Sequence, residues 1–253
     1  MCSSDLVTAS IAWIAAPSVK RGLEDPAAVS RAATPAPHPP AGCWGDPGDL
    51  TLPVNDRGLL LGDGLFETLL LEEGRLRLLA EHLERWRHSA DLLGMAAPPT
   101  ASWIVPLVAE AMDRSGIRTG ALRLNWSRGS GGRGLDIPTP GNDPSSHRFW
   151  LQLSASTPRF DGVSTWISRQ ERRNAASRLS RCKSFAYGSQ LQARREARAA
   201  GAEDALLLSS TGELCCGSSA NLLVRLRGRW LTPPLASGCL PGVMRGQIGR
   251  AHV

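Results

Sequence analysis

The residue with the clearest chemical potential is a lysine. Only Lys20 and Lys183 are lysines among the 29 Lys and Arg residues, and a lysine kept among arginines marks a position that arginine cannot serve. Arginine keeps its proton, whereas a lysine amine can lose it and form a Schiff base with a carbonyl group. Tyr187 is the one tyrosine and follows Lys183 by four residues, so a helix or tight turn would place amine and phenol on one side. The pair predicts a site for a carbonyl cofactor; the alternative is an exposed lysine beside a packed tyrosine.

Two glycine-containing segments could bind anions through backbone N–H groups. Residues 127–134 (SRGSGGRG) follow an expected strand and carry Arg128 and Arg133, which suits phosphates or carboxylates. Residues 240–245 (LPGVMR) offer N–H groups at the expected start of a helix. Neither segment matches a nucleotide-binding motif, and the plain alternatives are a flexible loop and a loop-to-helix joint.

The composition excludes several classes of partner. The formal charge of +6 comes from scattered arginines, and one Tyr and four Phe leave few stacking surfaces, so we expect no nucleic-acid partner. We find no membrane-length apolar run and no signal peptide, which predicts a cytoplasmic protein without a membrane partner. The six cysteines contain no C-x-x-C pair, so we expect reduced thiols and no metal.

The pattern of strands and helices predicts an α+β protein with two lobes. A hairpin is expected around Glu73 and Gly74, and helices are expected over 80–93, 102–114 and 190–200. In chain order we expect an irregular Ala/Pro-rich lead-in (1–48), a small N-terminal α/β lobe (49–136), a linker (137–147) and a larger, incomplete C-terminal lobe (148–253).

The two ends of the chain can be encoded by one oligonucleotide read in opposite directions. Residues 1–6 (MCSSDL) and 248–253 (IGRAHV) fit complementary strands of the same DNA, which resembles a sequencing adapter. We interpret both hexapeptides as sequencing remnants and expect the natural chain to continue beyond Gln247.

Six segments, taken in order, resemble the fold-type IV pyridoxal-phosphate enzymes, which are the branched-chain aminotransferase-like or class IV aminotransferase family. The resemblance implies a two-lobed fold with pyridoxal 5′-phosphate at the lobe interface, a small-molecule substrate and a homodimer. The matching segments are DRGLLLGDGLFETL (56–69), AEHLERWRHSADLLG (80–94), RLNWSRGSGGRG (123–134), KSFAYGSQLQARREA (183–197), TGELCCGSSANLLV (211–224) and TPPLASGCLPGVMR (232–245).

The resemblance also implies roles for individual residues. Lys183 corresponds to the catalytic lysine that bonds to the cofactor, and Tyr187 to the phenol that faces its 3′-oxygen. Arg85 corresponds to the phosphate-binding arginine, while Val243 and Met244 would bind phosphate through their backbone N–H groups.

The loop over 127–134 resembles that of the 4-amino-4-deoxychorismate lyases within this family. It implies formation of 4-aminobenzoate and pyruvate in folate biosynthesis, with Arg128 and Arg133 as candidates for the two substrate carboxylates. The alternatives are an aminotransferase acting on branched-chain or D-amino acids and a non-catalytic relative that keeps the fold.

One position departs from the family pattern. The family has a glutamate at the cofactor's pyridine nitrogen, five residues before an asparagine. That asparagine corresponds to Asn221, which the resemblance also places in the cofactor site. Here the position of the glutamate is Cys216, so either Cys216 takes the place or Glu213 reaches in from a shifted turn. A neutral thiol would weaken the electron sink, which favours the lyase over the aminotransferase.

Overall fold

The computed structural model describes residues 9–16, 38–137 and 146–251. The chain divides into two compact units, an N-terminal unit (residues 1–158) and a C-terminal unit (residues 159–253). Helices and strands occur in both, which confirms the α+β class. Within the described ranges, no helix has the length and apolar character needed to cross a membrane.

The N-terminal unit is built on a six-stranded antiparallel sheet. Its strands follow the order β2-β1-β6-β5-β3-β4. Strands β3 and β4 form the hairpin that the sequence predicts, and β4 is an edge strand. The strands are β1 (Ser10–Ala15), β2 (Gly42–Gly45), β3 (Gly64–Glu72), β4 (Arg75–Leu76), β5 (Gly120–Ser127) and β6 (Arg148–Ala155).

Three helices accompany this sheet: α1 (Arg57–Leu61), α2 (Leu79–Leu92) and α3 (Ala101–Ser115). Asp56 caps α1 because its side chain accepts a hydrogen bond from the backbone N–H of Gly58 at 2.8 Å. Helix α2 buries Trp86, whose ring lies 6.2 Å from that of Phe149 on β6. Aromatic contacts of this kind and the alternating leucines of β3 form the core.

Two boundary predictions are wrong for this unit. The expected irregular lead-in contains β1 and β2, and β1 pairs with β6 from Ser10 to Ile14. The predicted C-terminal lobe begins at residue 148, but residues 148–155 form β6, which pairs with β5 along its whole length and belongs to the first unit. Strand pairing over long sequence separations decides both cases, and local composition does not report it.

Some predictions fall on residues that the structure does not describe. The residues concerned are the first hexapeptide, lead-in residues 7–8 and 17–37, linker residues 138–145 and residues 252–253.

The C-terminal unit has a three-stranded sheet in the order β7-β8-β9. Strands β7 and β8 are parallel, with helix α4 as the connection between them, and β9 is antiparallel to β8. A separate hairpin, β10–β11, follows. The elements are β7 (Thr165–Arg173), α4 (Gly188–Ala199), β8 (Asp204–Ser209), β9 (Leu214–Gly217), β10 (Val224–Leu226), β11 (Arg229–Leu231) and α5 (Val243–Ala251).

The core of the C-terminal unit consists of small side chains. It contains Ala193 and Ala197 of α4, Leu207 of β8 and the thiols of Cys215 and Cys239, with Trp166 packed against it. Each of these alanines buries little apolar area, so the unit gains less from burial than a leucine-rich core does.

Candidate active site

Lys183 and Tyr187 come together in a tight turn of the C-terminal unit. Lys183 follows a short 3₁₀ turn (Arg178–Arg181), and Tyr187 is the N-cap residue of α4. The Lys183 Nζ atom donates to the Tyr187 Oη atom at 3.3 Å. The backbone N–H of Tyr187 donates to the carbonyl oxygen of Phe185 at 2.9 Å, so the turn itself brings the two side chains to one side. The expected juxtaposition is confirmed.

A cavity of about 400 Å³ lies beside this pair, within the C-terminal unit. Its wall includes Tyr187 and the two chain neighbours of Lys183, Cys182 and Ser184, together with Cys216 of β9 and Asn221. Among the described residues that line it, Lys183, Val243 and Met244 do not occur. The residues of the lysine turn and of the loop after β9 therefore share one cavity, large enough for a small aromatic ligand.

Asn221 holds the loop before α5 in place. Its side-chain amide donates to the carbonyl oxygen of Leu240 at 2.8 Å. Gly242 packs so tightly against the same side chain that a Cβ atom there would lie 1.6 Å from the Asn221 Oδ1 atom. Helix α5 starts directly after this glycine, and the first N–H groups of a helix have no partner within it. The backbones of Val243 and Met244 thus stand at a helix N-terminus, as the sequence predicts.

The structure separates the two candidates for the pyridine-nitrogen position. Cys216 is buried, with 8% of its surface exposed, and lines the cavity. The carboxylate of Glu213 instead accepts a hydrogen bond from Thr211 in an exposed turn, and Glu213 does not line the cavity.

Arg85 belongs to the N-terminal unit, where its guanidinium bonds to a buried carboxylate. The Arg85 Nε atom donates to the Glu67 Oε1 atom at 2.8 Å, and the His82 Nδ1 atom lies 2.7 Å from Glu67 Oε2. Burial by itself would raise the pKa of Glu67, but the hydrogen bonds and charges of His82 and Arg85 outweigh it and lower the pKa. The charged Glu67 fixes the direction of the Arg85 side chain.

The two arginines of the 127–134 loop have different environments. The side chain of Arg128 is 3% exposed. It donates to the Asp63 carboxylate at 2.9 Å and to the carbonyl oxygens of Leu93 and Gly94. Arg133 is exposed. This burial argues against the expected role of Arg128 as a substrate ligand and gives it a structural one.

Sequence analysis missed the acidic partners of these arginines. Glu67 and Asp63 lie in the segment 56–69 that carries the resemblance, but no role was predicted for either, although Glu67 is an acid within the mainly apolar strand β3. A buried carboxylate requires a positive partner, and His82 and Arg85, three residues apart on α2, present two on one face. That spacing is the signal that could have found the cluster.

Comparison with known proteins agrees with this geometry. The family model "Amino-transferase class IV" matches residues 64–251. A provisionally named branched-chain-amino-acid aminotransferase from Methanocaldococcus jannaschii is 30% identical over 204 residues, covering 80% of this chain and 70% of that protein. A bifunctional aminodeoxychorismate lyase / D-amino acid transaminase from Mycobacterium tuberculosis is 28% identical, covering 74% of this chain and 68% of that protein.

A solved structure is similar as well. It is a hypothetical aminotransferase from Mycobacterium tuberculosis in its pyridoxal-phosphate-bound form, with a TM-score of 0.69 and 27% identity. The similarity covers 83% of this chain and 76% of that one.

Proposed function

Because this chain belongs to the class IV aminotransferase family and is an enzyme of that family, we propose that it is a lyase converting 4-amino-4-deoxychorismate into 4-aminobenzoate and pyruvate. The 3.3 Å contact between Lys183 Nζ and Tyr187 Oη supports lysine-based chemistry on a bound cofactor. The choice of the lyase is carried by the 127–134 loop, which resembles that of the 4-amino-4-deoxychorismate lyases. We assign the reaction to folate biosynthesis in the cytoplasm.

Pyridoxal phosphate is the cofactor of this family, and the residues of the C-terminal unit fit it. Lys183 supplies the amine for covalent attachment, and Tyr187 supplies a phenol for the 3′-oxygen. The helix N-terminus at Val243 and Met244 suits a phosphate. Arg85 stays our candidate for a further phosphate contact. When bound, the cofactor supplies an electron-withdrawing ring joined to the substrate nitrogen.

Lys183 then acts as the general base. Its neutral amine takes the proton from the substrate ring carbon that carries the nitrogen. The electrons of that C–H bond form a ring double bond while the neighbouring C–O bond breaks. The departing group is an enolate, which takes up one proton, equal to the one that Lys183 removed, to become pyruvate. The atoms balance without water or an oxidant, and the product ring becomes aromatic. The Tyr187 hydroxyl keeps the amine oriented for the transfer.

Arg133 is our candidate for binding a substrate carboxylate. It is exposed, and a guanidinium can bind a carboxylate through two parallel hydrogen bonds. Arg128 fixes the start of the loop through its hydrogen bonds to Asp63, Leu93 and Gly94. A Cβ atom at the following Gly129 would lie 1.7 Å from the Ser146 carbonyl oxygen, so this part of the loop has one tight packing.

An aminotransferase is the second candidate function. Two relatives favour it, since one is named as a branched-chain-amino-acid aminotransferase and the other carries D-amino acid transaminase activity in its name. Lys183 would serve here too, moving a proton from the substrate carbon to the cofactor carbon bonded to the substrate nitrogen.

The products distinguish the two candidates. The chain loaded with pyridoxal phosphate is incubated with 4-amino-4-deoxychorismate, and separately with D-alanine or a branched-chain amino acid plus 2-oxoglutarate. We expect pyruvate and 4-aminobenzoate in equal amounts from the first mixture. Lys183→Ala removes the base and should lower that rate by at least about 10²–10⁴-fold. Amino-group exchange without 4-aminobenzoate would contradict the lyase proposal.

We also propose that the protein is a homodimer. Leu59, Leu60 and Leu61 of α1 are all exposed, and Arg57 bonds to the carbonyl oxygen of Asp136 at 3.0 Å, next to the exposed Leu135. An apolar patch of this kind favours burial against a second copy. Light scattering should give twice the monomer mass, and Leu60→Glu should shift it towards the monomer.

A further inference from the structure

The cavity beside Lys183 has a wall without carboxylates. The twenty described residues that line it include Arg172, Arg173, Cys182, Tyr187 and Cys216, and none of the twenty is an aspartate or a glutamate. The formally charged groups of the wall are therefore two guanidiniums, and its remaining titratable groups are thiols and a phenol.

Arg173 is fixed close to this wall. It donates to the carbonyl oxygen of Ser180 at 2.9 Å and to that of Gly238 at 3.3 Å. A fixed positive charge in a half-closed cavity disfavours a second positive charge on a bound ligand, because the local dielectric screens the repulsion less than water does.

Cys216 is a neutral thiol in this wall. It stands on β9, and an antiparallel bridge pairs it with Asn221 across the turn at residues 217–220. The hydrogen bond with the Cys215 side chain and the burial of Cys216 both raise the pKa of its thiol. Arg173 opposes that change and Cys239 adds to it. The same hydrogen bond lowers the pKa of Cys215 to about 6, so the proton that the two thiols share stays on Cys216.

The absence of carboxylates from the described cavity wall matters for a bound pyridine ring. A ring nitrogen stays protonated in a protein when an anionic carboxylate accepts its hydrogen bond. A neutral thiol, which is a weak donor and a weak acceptor, gives no such stabilisation, and the neighbouring guanidiniums oppose the positive charge.

We propose that Cys216 meets the ring nitrogen of pyridoxal phosphate in this cavity and that the carboxylate-free wall holds that nitrogen unprotonated. This rests on the proposed function only in that the cofactor binds through Lys183. An unprotonated pyridine ring withdraws electron density from the substrate carbon less strongly than a protonated ring does. Transfer of an amino group relies on that withdrawal, whereas an elimination is also driven by formation of an aromatic product. Cys216 is thus a specificity-determining residue that favours elimination.

Nitrogen-15 NMR of the bound cofactor tests the proposal directly. The full chain is loaded with pyridoxal phosphate labelled at the ring nitrogen. We expect the wild type to give the downfield signal of an unprotonated pyridine, and Cys216→Ser, which is also neutral, to give the same signal. Cys216→Glu places a carboxylate in the wall and should shift the signal strongly upfield, towards that of a pyridinium ion.

Glu213→Gln is the matched control, because Glu213 is the other acid of this segment and lies outside the cavity wall. It should leave the signal unchanged. A wild-type upfield signal would overturn the proposal, and its loss in Glu213→Gln would assign the ring nitrogen to Glu213 instead.

Activity measurements distinguish a failure of the ring-nitrogen proposal from a failure of the proposed lyase function. Cys216→Glu should raise the ratio of amino-group transfer to elimination at least about tenfold. An unprotonated ring in an enzyme that only transfers amino groups would refute the lyase proposal and the specificity role while leaving the protonation state correct. A protonated ring in an active lyase would refute this inference alone. A chain that binds no pyridoxal phosphate would refute both.

Discussion

The two units of the molecule are stabilised by different kinds of side chain. The N-terminal unit packs large aromatic and leucine residues around Phe149 and satisfies its buried charges in pairs, such as Arg128 with Asp63. The C-terminal unit has a core of alanines and thiols and holds the Lys183–Tyr187 pair beside a cavity. The difference shows that the large, well-packed core and the candidate catalytic pair, Lys183 and Tyr187, lie in separate units of this chain.

Truncation of the central aromatic residue should have the largest effect on stability. Phe149 is 1% exposed, and its ring lies 5.6 Å from that of Trp13 and 6.4 Å from that of Trp103. Phe149→Ala leaves a cavity among these rings, so the free energy of unfolding should fall by about 3–5 kcal/mol in urea titrations. Phe160 is 94% exposed and serves as the control, because Phe160→Ala removes the same atoms with little effect. Equal losses for both would contradict the role of Phe149 at the centre of the N-terminal core.

The two arginines of the 127–134 loop should separate stability from substrate binding. Arg128→Met leaves Asp63 without one of its partners and should cost about 3 kcal/mol of unfolding free energy. Arg133→Met should leave stability within about 0.5 kcal/mol and raise KM at least about tenfold with a smaller change in kcat. Steady-state kinetics and urea unfolding of both variants check this, and the reverse pattern would restore Arg128 as the substrate ligand.

The small-residue core should resist larger side chains. Ala193 is fully buried on α4, so Ala193→Leu forces extra atoms into closely packed space and should lower unfolding free energy by about 1–3 kcal/mol. The neighbouring Arg194 is exposed, and Arg194→Leu, which places the same side chain at the surface of that helix, should change it little. A well-tolerated Ala193→Leu would show that this core is loosely packed.

The smallest expected effect is a loss of stability of the C-terminal unit in acid, caused by Glu196 on α4. Hydrogen bonds from the Ser168 hydroxyl and the backbone N–H of Arg169, with a further one from the Trp166 indole, lower the pKa of Glu196 to about 2. A carboxyl whose pKa is lower in the folded state stabilises the fold above its ordinary pKa of 4.5 and loses that contribution as the pH falls towards 2. Urea midpoints should therefore decline between these values, and Glu196→Gln should decline less.

The sequence was sufficient for the parts of the fold that local patterns control. The hairpin at Glu73 and Gly74, helices α2 and α3 and the start of α5 follow from periodicity and from turn residues; the short helix α1 was not predicted. Strand β1 was missed and β6 was assigned to the wrong lobe, because the partners of a strand are set by distant residues. Both lie in the same sheet.

The candidate site shows the same limit. The pairing of Lys183 with Tyr187 could be predicted because four residues and one turn connect them. The burial of Arg128 could not, since partners of its guanidinium come from residues 63, 93 and 94. The choice between Cys216 and Glu213 likewise needed the cavity wall, because these two residues are only three positions apart in sequence but have different surroundings.

The central claim is that Lys183 carries the cofactor, and one experiment tests it most directly. The chain loaded with pyridoxal phosphate is reduced with borohydride, which fixes a lysine-bound cofactor permanently, then digested and analysed by mass spectrometry. Lys20 is the only other lysine of the sequence and provides the internal control. We predict that the cofactor mass is found on the peptide containing Lys183, persists in Lys20→Arg and is lost in Lys183→Arg. Labelling of Lys20, or of neither lysine, would contradict the account.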